Sequence, residues 1–236
     1  MVRLLLLLLG ILASSTVSGA QQTILNIPSA DITDKKQINF RLDTSCFPSI
    51  GGCIMAPNFI FGVWHNIEAG ININAFGVPA SLGNRSIVPN FKWRFLNGKA
   101  DAKSHFDMFV GDQIFFPTFQ RTFDVGNYLY AAVAWTIHSN TRFTAGAYDS
   151  VDAVANGNRG GGLLGAEWTV AHAKDRSLIT LAADWQSGRA SNGTLALGVM
   201  YFPTSRLSIV PAFQFANSGD HLANGPQIFI GYLLKK

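Results

Sequence analysis

Apolar and polar residues alternate along this chain in about a dozen segments of about ten residues each, separated by clusters of Gly, Asn, Pro, Asp and Ser. A strand that crosses a bilayer needs about 9–11 tilted residues, and its two faces must differ in polarity. The rhythm therefore predicts a membrane β-barrel. Only 14% of residues are charged while 48% are hydrophobic, which is low charge for a soluble surface. Beyond the first residues no stretch reads as a membrane helix. The longest run without Asp, Glu, Lys or Arg, residues 44–67, contains Pro48, Gly51, Gly52 and Pro57, all unfavourable inside a helix.

The N-terminus has a basic start at Arg3, an apolar run from Leu4 to Leu12 and small residues up to Ala20. This is the pattern of a cleaved signal peptide over residues 1–20, cut after Ala20. Residues 21–36 follow as a polar periplasmic lead-in, and residues 37–236 form one barrel. Without Arg3 the chain keeps 17 basic residues (18 − 1) against 14 acidic ones. That mild, unclustered excess excludes a nucleic-acid surface. Cys46 and Cys53 flank Pro48, Gly51 and Gly52 in an expected external loop, and export favours their disulfide.

The predicted strands are Gln37–Thr44, Asn58–Trp64, Ile67–Phe76, Ile87–Leu96, His105–Phe116, Asn127–Ile137, Thr141–Asp149, Gly161–Val170, Ser177–Gln186, Thr194–Phe202, Arg206–Phe215 and Pro226–Leu234. Connections after even strands are mostly tight and those after odd strands mostly longer, the asymmetry of periplasmic turns and external loops. The fifth strand resists a strict period of two, because Asp107 and Asp112 cannot both face inward.

Phe91, Trp93 and Phe95 oppose Asn90, Lys92 and Arg94, and the other clear strands divide in the same way. An exported chain with aromatic residues near strand ends (Trp64, Trp93, Tyr130, Trp135, Trp168, Trp185, Tyr201 and Tyr232) fits an apolar face toward lipid. The lumen then collects Arg41, Asp43, Glu68, Asn72, Lys92, Arg94, Arg142, Glu167 and Asp184. Charges enclosed by a low-dielectric wall must be paired or hydrated, so ion pairs between neighbouring strands are expected. Twelve strands lie between filled and open barrels. Such a lumen is either a narrow polar channel or one closed by these side chains and an inserted loop, strand number alone not deciding between them. Residues 21–36 are a segment that could plug it.

No catalytic, metal or cofactor constellation stands out. His138-Ser139-Asn140 is similar to the His-x-Ser-Asn string of the twelve-stranded outer-membrane phospholipases. Here, however, His and Ser are adjacent, so on a strand they face opposite ways and cannot share a proton. The remaining histidines are scattered over turns and strand ends. Gly219-Asp220-His221 has ordinary loop composition, and Gly160-Gly161-Gly162 lacks the helix of a phosphate loop. Asn84-Arg85-Ser86 and Asn192-Gly193-Thr194 fit the glycosylation sequon, which matters only in a eukaryotic secretory pathway.

The start Asn26-Ile27-Pro28-Ser29-Ala30-Asp31, with Lys36, Phe40 and Asp43, resembles a group of bacterial outer-membrane β-barrel proteins described as transporters. Pro89-Asn90-Phe91-Lys92-Trp93-Arg94 and Ala183-Asp184-Trp185-Gln186-Ser187-Gly188 are similar to segments of the same group. The resemblance implies an outer-membrane barrel and supplies no substrate. The ending Tyr232-Leu233-Leu234-Lys235-Lys236 departs from the terminal aromatic residue that barrel assembly machinery reads. The sequence thus leads to a non-enzymatic pore or transporter for small polar solutes, surrounded by outer-membrane lipid. The alternative is a closed structural or adhesion barrel that binds a partner through its external loops.

Overall fold

Period-two alternation sends neighbouring side chains to opposite faces, and here it closes a sheet on itself. The computed structural model describes residues 23–74, 76–78, 86–98, 104–118, 125–151, 159–174, 176–188, 193–217 and 224–234. Twelve antiparallel strands form one barrel: β1 (Ile38–Phe47), β2 (Gly52–Trp64), β3 (Ile67–Asn74, with a further segment Phe76–Val78), β4 (Ser86–Leu96), β5 (Ser104–Pro117), β6 (Gly126–Ile137), β7 (Thr141–Val151), β8 (Gly160–Ala173), β9 (Arg176–Gln186), β10 (Thr194–Tyr201), β11 (Leu207–Ala216) and β12 (Gly225–Leu234). Both segments of β3 pair with β2. Each strand pairs with its sequence neighbours, and β1 pairs with β12 to close the barrel, Ile38 opposite Leu234. This is the all-β, twelve-stranded antiparallel architecture that the alternation predicts.

The expected leader, residues 1–20, lies outside the described residues, as do Asn84, Asn192 and Gly219-Asp220-His221. No described helix is long and apolar enough to cross a membrane. The outer surface is an apolar belt that includes Phe91, Trp93, Phe95, Leu164, Trp168 and Leu181, all exposed. Trp64, Trp93, Phe106, Trp135 and Tyr201 gather toward the end where β1 begins and β12 ends, forming a girdle of the kind that borders a bilayer.

Three local expectations are corrected. The loop expected around the cysteines is a continuation of β1 and β2, which run to Phe47 and from Gly52. Cys46 lies opposite Cys53 in the ladder, and their disulfide closes the hairpin above the turn Pro48–Ile50. Tyr130 is not part of the aromatic girdle: it faces inward, 2% exposed, beside Tyr128 and Phe109. Asp107 is buried on the inner face, whereas Asp112 pairs with the outward Phe91 and Leu129. The irregularity falls in β4, between Arg94 and Leu96, so β5 keeps its period and its two carboxylates take opposite faces.

Candidate functional site: the barrel interior

Within the segment expected as a periplasmic lead-in, residues 23–33 fold back inside the barrel. Thr23 pairs with Pro28, and the Ile24 N–H donates to the Ile27 carbonyl at 2.8 Å, which makes a tight hairpin. Ile24, Leu25, Ile27, Ser29 and Ala30 are almost completely buried. Their apolar side chains belong to one cluster with Phe109, Tyr128, Tyr130, Leu163, Met200 and Phe229 from the barrel wall. The hairpin leaves along β2, where Lys36 N–H donates to the Gly62 carbonyl at 2.9 Å. A Cβ on Gly62 would collide with the Asp34 backbone, so close passage of the two chains requires glycine there.

The charged residues expected in the lumen converge on this hairpin. Asp184 Oδ2 accepts the backbone N–H groups of Leu25, Asn26 and Ile27 at 2.8, 2.7 and 3.0 Å. Three such bonds neutralise a buried carboxylate with main-chain dipoles rather than with a cation. Arg142 donates to both carboxylate oxygens of Asp31 at 2.7 and 2.8 Å. It also grips Glu167, its cross-strand neighbour, at 2.6 and 2.8 Å. Lys92 and Glu68, opposite one another on β4 and β3, meet at 2.8 Å and are 0% and 1% exposed. Glu68 also accepts the Thr33 N–H, while Lys92 reaches the Ser29 carbonyl. Arg94 donates to the Ala30 carbonyl and to Asn66.

Nearer the hairpin's tip, Arg41 donates to the Thr23 hydroxyl and to Asp43, which also accepts from Asn58. Asn26 is held between Gln214 and Gln227. Asn72 accepts from Asn90 on the inner wall. The expected ion pairs between neighbouring strands thus exist at Lys92–Glu68 and Arg142–Glu167. Sequence reasoning missed that Asp31, on the hairpin itself, completes the second cluster. It also missed the apolar half of the interior. The signal lay in Phe109, Leu163, Met200 and Phe229, apolar residues on faces that an open aqueous lumen would leave polar.

His138 and Ser139 form a turn between β6 and β7, both at positive φ. Ser139 Oγ donates to the His138 carbonyl, not to its ring. Among the described residues no group of His, Cys, Asp and Glu is arranged to hold a metal.

No family model matches the chain, and no curated protein matches it in sequence. Solved structures do match its fold. An active-site mutant of outer membrane phospholipase A from Escherichia coli aligns with TM-score 0.50 at 11% identity, covering 91% of this chain and 96% of that one. The calcium-bound dimer of the Salmonella typhi outer membrane phospholipase aligns with TM-score 0.50 at 11% identity, covering 94% and 99%. The chain has the outer-membrane β-barrel fold. The expectation of a non-enzymatic chain is corrected here: solved barrels similar to this one include phospholipases, so the fold gives no ground for excluding an enzyme. At this identity the likeness carries the fold and not the reaction.

Proposed function

We propose that this chain is an outer-membrane barrel for the passage of small polar solutes, held shut at rest by its own N-terminal hairpin. One observation carries the reading. Asp184, Arg142, Glu68, Lys92, Arg94 and Arg41, from five different strands, each bond directly to residues 23–33. A wall built only to stay closed could be filled with apolar side chains, which often match or exceed buried ion pairs in stability. A wall of charges around a removable segment becomes a polar, hydrated path when the segment leaves. In this reading the leader is cut after Ala20, Thr23 becomes the third residue of the mature chain, and barrel assembly machinery inserts the protein.

The test uses planar bilayers. The intact protein should be silent, whereas Asp184→Ala and Arg142→Ala, shown to be folded by heat-modifiable gel mobility, should give discrete conductance steps. If both variants fold, release the hairpin by amide exchange at residues 24–33 and remain silent, passage is rejected and the closed structural or adhesion barrel takes its place. The phospholipase activity named for the structural neighbours is checked in the same proteoliposomes. Fatty-acid release above protein-free vesicles would make membrane lipid the substrate.

A further inference from the structure

Beside the Asp31–Arg142 contact, at the mouth where β1 begins, lies a cavity of about 200 Å³. Its wall combines three kinds of group. Asp31 contributes a carboxylate that is 36% exposed although both oxygens already accept from Arg142. Thr169 shares hydrogen bonds with Ser177 at 3.3 Å and Thr180 at 3.0 Å. These three hydroxyls use two hydrogens among themselves, so one O–H and several lone pairs remain for a guest. Phe202 supplies an apolar ring. Arg176 holds the backbone at that residue by donating to the carbonyls of Phe202 and Pro203.

We infer that this cavity binds a single small polyhydroxylated solute of monosaccharide size. A sugar ring presents outward hydroxyls that both donate and accept, and an apolar C–H face. A carboxylate, a hydroxyl chain and an aromatic ring answer those features one by one, in the manner of a pocket with a few placed polar groups. A simple anion is disfavoured, because Arg142 is already shared between Asp31 and Glu167, and both of those carboxylates line the space. The assignment deepens the proposed passage reading by naming the solute class. Its place against Asp31 also gives a bound hydroxyl the means to compete with Arg142 for the group that anchors the hairpin.

The experiment measures binding, which stands or falls independently of conductance. The full-length protein, in a detergent without a sugar headgroup, is titrated with glucose, maltose and sodium acetate by ligand-observed saturation-transfer NMR and calorimetry. Glucose should bind saturably, maltose at least tenfold more weakly because the cavity accommodates one ring, and acetate not at all. The shape-preserving double variant Thr169→Val/Thr180→Val and the variant Phe202→Ala, each with unchanged heat-modifiable mobility, should weaken glucose at least tenfold. Absence of glucose binding to the intact protein overturns the assignment. Equal binding by the double variant, or preference for acetate, overturns it as well.

Discussion

Arg142 shows how a guanidinium becomes useful inside a barrel wall. Its planar fork meets two carboxylates at once, one on the neighbouring strand and one on the hairpin, a geometry that a lysine point charge cannot reproduce. Arg142→Ala leaves Glu167, 8% exposed, without its cation. We expect a loss of about 3–5 kcal/mol, read as a lower urea midpoint of the folded band, with Arg142→Lys in between. Asp112 presents the opposite case. It sits on the outer face between Phe91 and Leu129, and its buried Oδ1 has no hydrogen-bond partner. A lipid-facing charge is destabilising, and less so for Asp than for Arg or Lys. Asp112→Leu should therefore stabilise the barrel in vesicles by up to about 2 kcal/mol, measured by the same urea midpoint. Charges at positions 41, 68, 92, 142, 167 and 184 were legible in the sequence because alternation assigns each to a face. The hairpin contacts of Asp184, Glu68, Lys92 and Arg94 were not, since Leu25, Asn26, Ile27, Thr33, Ser29 and Ala30 engage them through main-chain groups, which carry no compositional signature.

The β1–β2 hairpin illustrates where element boundaries escape a pattern reading. Pro48, Gly51, Gly52 and Pro57 mark a loop by composition, and strand lengths set by membrane thickness end both strands early. The ladder nevertheless continues to Phe47 and Gly52. Pro57 is tolerated because it lies between the pairs Asn58↔Asn72 and Met55↔Phe76, where the register to β3 shifts by one residue. A missing N–H there falls at an interruption of the ladder. The hairpin thus projects past the belt, and the Cys46–Cys53 bridge secures its end. Closing so short a loop limits the bridge's contribution to about 2 kcal/mol, and the ladder itself already supplies part of the closure. Reduction, or the double variant Cys46→Ser/Cys53→Ser, should raise amide exchange over residues 45–54. The lower β1–β2 ladder and the heat-modifiable mobility should stay unchanged.

Taken as one object, the molecule has two solvents outside and a protein core within. Lipid meets Phe91, Trp93 and Leu181, while the hairpin's Ile24, Leu25 and Ile27 meet Phe109, Leu163, Met200 and Phe229. Those wall residues would face water if the hairpin left, at about 25 cal/mol for each Å² uncovered. Charge and apolar packing therefore act together to hold it. Gly165 separates their contributions. It lies on the inner face of β8, and a Cβ there would press on the Cδ1 atoms of Ile24 and Ile27, at 2.5 and 3.0 Å. Gly165→Val adds a branched side chain at that point, suits strand geometry, and leaves both the outer belt and every charged partner of the hairpin intact. The variant should insert and keep its heat-modifiable mobility. Amides of residues 24–30 should lose protection, and a protease added from the side of the chain termini should cut within residues 23–36. Bilayers should then show conductance that the intact protein lacks. If residues 24–30 stayed as protected as in the intact protein, steric fit at Gly165 would not be what seats the hairpin, and the charged contacts would have to hold it alone.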